Sequence, residues 1–159
     1  MRFLGALARA CLLLFAFSPM LLRAQFPEPT REELQMTSDP KAPGAPYVYL
    51  FREDITDQPG GTHVLYERIK ILTEKGKGTA TVRVPWMSKY EKFPEVEGRT
   101  IHADGTVVPL SVKPTDVMDV KTKAFEVDDA VFTLPDVQVG SILEYRIKEE
   151  FSEGIDDPT

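Results

Sequence analysis

Apolar and polar side chains alternate with a period of two in the clearest stretches of this chain. Ala80, Val82, Val84 and Trp86 alternate with Thr81 and Arg83, and Leu143, Tyr145 and Ile147 alternate with Glu144, Arg146 and Lys148, with Phe151 continuing the apolar set. A period of two sends successive side chains to opposite faces of a strand. The apolar set of each run is therefore expected on a core. Glu144, Arg146 and Lys148 are expected in solvent, as on a one-sided antiparallel sheet. Further strands are expected over Tyr47–Phe51, His63–Leu72, Val96–His102, Thr106–Leu110 and Ala130–Leu134, and a loop over Ser88–Phe93. Pro85 cannot donate to a ladder, so it should end the pairing or lie on an edge. Between Val112 and Asp129 the pattern is irregular, with lysines and aspartates around Val117, Val120 and Phe125.

Turn residues punctuate these runs: Pro59-Gly60-Gly61, Lys75-Gly76-Lys77-Gly78, Pro135-Asp136 and Gly140. The sharpest signal is Asp104-Gly105, flanked by two β-rich runs. As a two-residue hairpin turn it would need positive φ at both positions. The pattern as a whole predicts an all-β fold, an antiparallel β-sandwich of seven or eight strands over residues 47–151. Upstream, residues 25–46 carry five prolines and read as an extended connector. Within it, Thr30 and Glu33 have the spacing of a capping box, which predicts a short helix through Met36, closed by Pro40. With Leu34 and Met36 as its few apolar groups, such a helix persists only by leaning on the domain.

Residues 1–24 read as a secretory signal peptide: a basic start at Arg2, an apolar run through Leu22, and a small residue, Ala24, before Gln25. The competing reading is an uncleaved membrane anchor. Arg9 and Pro19 break the apolar run, and a span needs roughly 20 residues. The expectation is thus an exported protein, periplasmic or extracellular, with no stable membrane anchor after cleavage. Residues 152–159 form a polar tail. The only cysteine, Cys11, lies inside the leader, with Arg9 arguing against a lipid-attachment context. The mature chain would have no disulfide, no cysteine nucleophile and no thiolate metal site. Its 135 residues can support a core without them. Loss of Arg2, Arg9 and Arg23 takes the formal charge from −6 to −9. So acidic a domain repels phosphate backbones, which disfavours nucleic acid as a partner. With no asparagine in the chain, N-glycosylation is excluded.

Candidate chemistry is sparse. His63 and His102 are the two histidines, and a metal shared with Asp104 or Asp57 would need three placed ligands that no local spacing supplies. Asp128-Asp129 with Glu126, and Asp156-Asp157 with Glu153, lack the alternating ligands and glycine of a calcium loop and read as solvated loop acids. No two carboxylates are marked as facing each other for hydrolysis. Trp86, Met87 and Tyr90 form the one aromatic group beside a loop. Glycan or protein binding is open to them, although Trp86 shares the core phase of Val82 and Val84. No Gly-x-Ser-x-Gly elbow occurs, and the glycine pairs sit in turns rather than phosphate cradles. Catalytic, cofactor-binding and metal-ligating residues are accordingly expected to be none, with no cofactor.

Five ordered blocks carry a family resemblance: Arg68-Ile69-Lys70-Ile71-Leu72-Thr73-Glu74-Lys75-Gly76; Tyr90-Glu91-Lys92; Arg99-Thr100-Ile101 with Asp104-Gly105-Thr106-Val107-Val108-Pro109; Phe132-Thr133-Leu134-Pro135-Asp136-Val137; and Val139-Gly140-Ser141-Ile142-Leu143-Glu144-Tyr145. Over roughly Leu34 to Phe151 the chain resembles domain of unknown function 3857, a module of exported bacterial proteins. The resemblance implies a β-sandwich placed ahead of a transglutaminase-like core, whose catalytic members use a Cys-His-Asp constellation. Nothing of that core lies within these residues, so none of its catalytic residues carries over. Members usually continue past this point, which implies an N-terminal fragment or a truncated product. The expected function is a non-enzymatic exported accessory or interaction module, with a transglutaminase-like domain as partner in cis or trans, docked at an open strand edge. Two alternatives stand beside it. One is the N-terminal part of a transglutaminase-like cysteine protease or cross-linking enzyme whose core lies beyond residue 159, and the other is a glycan-binding sandwich.

Overall fold

The structure, a computed structural model, describes residues 26–121 and 126–151. The expected leader (1–24) and polar tail (152–159) lie outside the described residues. The described residues form eight strands: β1 (Tyr47–Asp57), β2 (Thr62–Ile71), β3 (Thr81–Trp86), β4 (Glu95–Ile101), β5 (Val107–Pro109), β6 (Thr115–Lys121), β7 (Glu126–Thr133) and β8 (Ile142–Glu150). They build a five-stranded sheet, ordered β1-β2-β8-β4-β5, and a three-stranded sheet, ordered β3-β7-β6. Every pairing is antiparallel. This is the all-β sandwich that the alternation predicts.

The core lies between the sheets. Ile69 and Ile71 of β2 and Leu143, Tyr145 and Ile147 of β8 meet Val84 and Trp86 of β3 and Ala130 and Phe132 of β7. Phe132 and Tyr145 touch edge to face across the gap, ring centroids 5.6 Å apart, the geometry that the ring quadrupoles favour. Burying each large apolar side chain contributes about 1.5–3 kcal/mol. Pro85 lies on β3, an edge strand, where a missing N–H leaves no central ladder incomplete. Gly98 of β4 sits opposite Tyr145. A Cβ there would lie 2.9 Å from Leu134 Cδ2 and 3.2 Å from Tyr145 Cβ, so this glycine admits both core side chains.

Four local expectations are corrected. The irregular region contains β6 and part of β7; a register shift between Met118 and Val120 breaks the period of two that would have marked β6. The glycines at 76 and 78 fall within a 3-10 helix over Glu74–Ala80 rather than a simple turn. At the hairpin, only Gly105 has positive φ (+89°). His102 N–H donates to Thr106 O, and Gly105 N–H donates to His102 O. This is a three-residue loop, a turn through Ala103-Asp104 followed by a left-handed glycine, instead of a two-residue turn with both φ angles positive. Asp104 Oδ1 accepts from Thr106 N–H at 2.9 Å, which holds its carboxyl below the usual carboxylate range.

The fourth correction concerns β8. Its parity is as expected, but Glu144 is fully buried and Arg146 and Lys148 are partly so. β8 is the central strand of its sheet, and its outer face is covered by residues 26–36.

Candidate functional site

The covered outer face holds the densest polar constellation among the described residues. In register, Arg68 of β2 and Arg99 of β4 lie directly on either side of Glu144. Three strands thus place one carboxylate between two guanidiniums. Glu144 Oε1 accepts from Arg68 Nε at 2.9 Å and Nη2 at 2.6 Å, and also from the Tyr66 hydroxyl. Glu144 Oε2 accepts from Arg99 Nε at 2.6 Å. Burial, reinforced by the Glu144 bond, pushes the Tyr66 hydroxyl up to about 12. Burial opposes the charge on Arg68, and Glu144 outweighs it, so Arg68 stays above its ordinary value.

The remaining donors hold the N-terminal arm. A helix, α1 (Arg31–Gln35), starts at Thr30 with the expected capping box: Thr30 Oγ1 accepts from Glu33 N–H, and Glu33 Oε2 accepts from Thr30 N–H at 2.7 Å. The same Glu33 carboxylate pairs with Arg68 Nη1 at 3.2 Å. Arg68 Nη2 donates to Pro27 O; Arg99 Nη2 donates to Phe26 O and Pro27 O, at 3.3 and 3.0 Å. Lys70 is fully buried, and its ammonium donates to Leu34 O at 2.8 Å and Gly140 O at 2.6 Å. Burial drives its pKa down, with the Glu33 charge opposing. Phe26 lies under the guanidiniums of Arg99 and Arg146, each 5.4 Å from its ring, and beside Tyr66. Side chains thus clasp the arm, and no strand ladder ties it down.

That arrangement holds charge without offering it to a ligand. No buried side-chain nitrogen or oxygen among the described residues lacks a partner. The chemistry is mutual neutralisation, which fixes the arm's position.

The two histidines have separate partners. His63 Nδ1 faces Glu149 Oε2 at 2.5 Å and Nε2 faces Asp54 Oδ1 at 2.8 Å. The Glu149 bond is the main cause of its raised pKa, and burial opposes it. His102 Nε2 meets Asp136 Oδ2 at 3.1 Å, and its Nδ1 lies 3.4 Å from Ser141 Oγ. Neither Asp57 nor Asp104 joins a histidine, and no group of three ligand-type residues among those described is arranged for a metal ion.

Ser141, His102 and Asp136 form an Asp-His-Ser chain that sequence reasoning missed, because His102 comes from the β4–β5 hairpin and the other two from the β7–β8 connection, and no elbow motif marks them. Asp136 adopts φ +48°, uncommon for a residue with a side chain. Ser141 is only 1% exposed, and its Oγ also accepts from Gln138 N–H at 3.1 Å. A hydroxyl in that position cannot meet a substrate carbonyl. Its role is to stitch the 135–141 turn to the 102–106 hairpin, as Thr100 Oγ1 does through Pro135 O at 2.6 Å.

Trp86 belongs to the core, with Nε1 donating to Asp116 and its ring edge-on to Phe93. Asp128 and Asp129 are buried on β7 rather than solvated, and Asp129 pairs with Arg83 at 3.1 Å. The Asp156-Asp157 cluster lies outside the described residues. Apolar groups are exposed instead on β1, where Tyr49, Phe51 and Ile55 are each about half accessible along an edge with no strand beside it among the described residues. No helix among the described residues is long and apolar enough to cross a membrane.

Comparisons with known proteins agree with this architecture. The crystal structure of a "putative protease" from Parabacteroides distasonis ATCC 8503 shares the fold with TM-score 0.53 at 11% identity, over 58% of this chain and 20% of that one. The chain therefore spans about a fifth of that protein. No curated protein matches the chain. The model of DUF3857, a domain of unknown function with solved structures, matches residues 60–157. That span takes in β2 through β8, which is the whole three-stranded sheet, four strands of the five-stranded one and the Arg68–Glu144–Arg99 row, and the chain belongs to the DUF3857 family.

Proposed function

We propose that these residues form a non-catalytic, exported accessory module that works beside a transglutaminase-like core, in cis or in trans. The observation that supports this most is the use of the reactive side chains. Ser141, His102, Asp136, Glu144, Arg68, Arg99 and Lys70 are all engaged in holding turns and the N-terminal arm. Catalysis of acyl transfer needs a nucleophile that a substrate can approach, with a base beside it. Support from a rigid sandwich with an exposed edge strand needs neither.

The test is turnover by the purified chain. Peptide hydrolysis and amine incorporation into a glutamine donor are both expected at background. A fluorophosphonate probe should leave Ser141 unlabelled. Robust turnover, or Ser141 labelling in the folded chain, overturns the proposal. Export is checked by the intact mass of the chain recovered from the periplasm or medium, expected to begin at Gln25.

The second reading is the N-terminal part of a transglutaminase-like protease or cross-linking enzyme. The structural neighbour described as a protease, in which this fold occupies only a fifth of the chain, favours it. A reading frame continuing past Thr159 into a Cys-His-Asp domain supports this version, and a stop codon supports the separate module.

A further inference from the structure

β1 is the outermost strand of the five-stranded sheet, is 11 residues long, and carries most of its side chains in solvent. Its pairing with β2 assigns each side chain to a face. Phe51, Glu53 and Ile55 pair with Arg68, Tyr66 and Val64 and so share the outer face. Arg52 and Asp54 pair with Glu67 and Leu65 and share the inner one. A strand lying antiparallel to a copy of itself, about a two-fold axis perpendicular to the sheet, keeps each face in register with itself.

With the axis at residue 53, Phe51 falls opposite Ile55 of the second copy on the outer face, twice over. Arg52 falls opposite Asp54 on the inner face, also twice. The exposed apolar groups therefore meet each other and the opposite charges meet each other, the two kinds of cross-strand pair that stabilise a sheet. Moving the axis to residue 52 or 54 sets Arg52 against itself or Asp54 against itself. Phe51 and Ile55 are 46% and 51% exposed, and the Arg52 and Asp54 side chains 54% and 52%. All four are thus accessible to a partner despite their contacts within the chain. The single opposing element is Glu53, which meets its own copy on the axis.

We propose that β1 is a self-complementary edge, through which two copies of the chain pair β1 to β1 and join their five-stranded sheets into one. The irregularity between Tyr49 and Phe51 limits the regular ladder to Phe51–Ile55. Such a contact lies well below the ~1,200 Å² of a stable complex, so the association is weak and reversible. This inference is independent of export and of any transglutaminase-like partner.

Sedimentation equilibrium of residues 25–159 from about 10 μM to about 1 mM, the range suited to so small a contact, should show the average mass rising toward a dimer. Glu53→Gln removes the like charges on the axis and should tighten the association several-fold. Phe51→Asp should abolish it. Residues 25–159 contain no cysteine, so in a chain of those residues Glu53→Cys introduces a unique thiol, with its copy directly opposite at a Cβ separation of about 4.5–5.5 Å. Mild oxidation should convert it to a disulfide-linked dimer. Thr56→Cys sets the two thiols ~20 Å apart, at about 3.4 Å per residue, and should remain monomeric. A constant monomer mass across the range, or equal cross-linking of the Glu53→Cys and Thr56→Cys chains, overturns the proposal.

Discussion

Replacing Glu144 with alanine is expected to be among the most damaging single changes in this protein. Its carboxylate is fully buried and accepts from Tyr66, Arg68 and Arg99. Alanine leaves the two guanidiniums flanking an empty position beneath the N-terminal arm, where water has little access. Removing one partner of a buried ion pair typically costs about 3–5 kcal/mol, chiefly because the remaining charge is uncompensated. Here both guanidiniums lose that partner, Arg68 keeping Glu33 and Arg99 the exposed Glu28, against a total stability on the order of 5–15 kcal/mol for a domain. A loss of about 3–5 kcal/mol is the expectation. Urea unfolding followed by tryptophan fluorescence and by circular dichroism measures it, with the midpoint and slope read separately. Glu144→Gln keeps one acceptor oxygen and should lose less. The triple change Arg68→Met, Glu144→Leu, Arg99→Met removes all three charges while keeping apolar bulk, and should recover much of the lost stability. If Glu144→Ala unfolds within about 1 kcal/mol of the parent, below the ordinary penalty for an unpaired buried group, the face is solvated and the clasp does not exist.

Three further outcomes are expected. Gly105→Val should cost about 1–3 kcal/mol and Gly105→Asn much less, because only position 105 needs a left-handed backbone; equal urea midpoints would remove the turn. Gly98→Ala should lower the melting temperature through overpacking worth about 1–3 kcal/mol, since its Cβ would meet Leu134 and the Glu144 carbonyl oxygen at 2.9 and 3.1 Å, and an unchanged melt would refute that contact. The raised pKa of His63 means that its pairs stabilise fully below the unfolded value of about 6.5 and fade as pH rises through the folded value. The stability gap between the parent and His63→Gln should therefore be wider near pH 6 than near pH 9, and a gap independent of pH would argue against the Glu149 and Asp54 pairs.

Strand periodicity made β3, β4 and β8 readable, because each has one face on the core and a regular pleat. The capping box at Thr30 and Glu33 was readable for a similar reason, as both partners lie within four residues. The burial of Glu144 is not legible, because alternation reports only which face a residue takes. What lies over that face is decided by the arm, more than a hundred residues away in sequence. The Ser141–His102–Asp136 chain was hidden for the same cause, since turns from two strand connections bring its members together. At β6 a register irregularity interrupted the signal, and at β7 two buried aspartates resembled a solvated loop. Trp86 is legible as a core residue, because its phase with Val82 and Val84 is local information.

The arm's position also bears on where this domain begins. The family match starts at residue 60, within the connection between β1 and β2. A chain cut there would lose β1 and the arm together. β2, with six consecutive buried residues from Tyr66 to Ile71, would become an open edge, and the Arg68–Glu144–Arg99 row would face water on one side. Such a chain should be prone to edge-to-edge aggregation. The stretch that the family model matches thus starts later than the packed domain does, and residue 26 is the earliest described position that the domain uses.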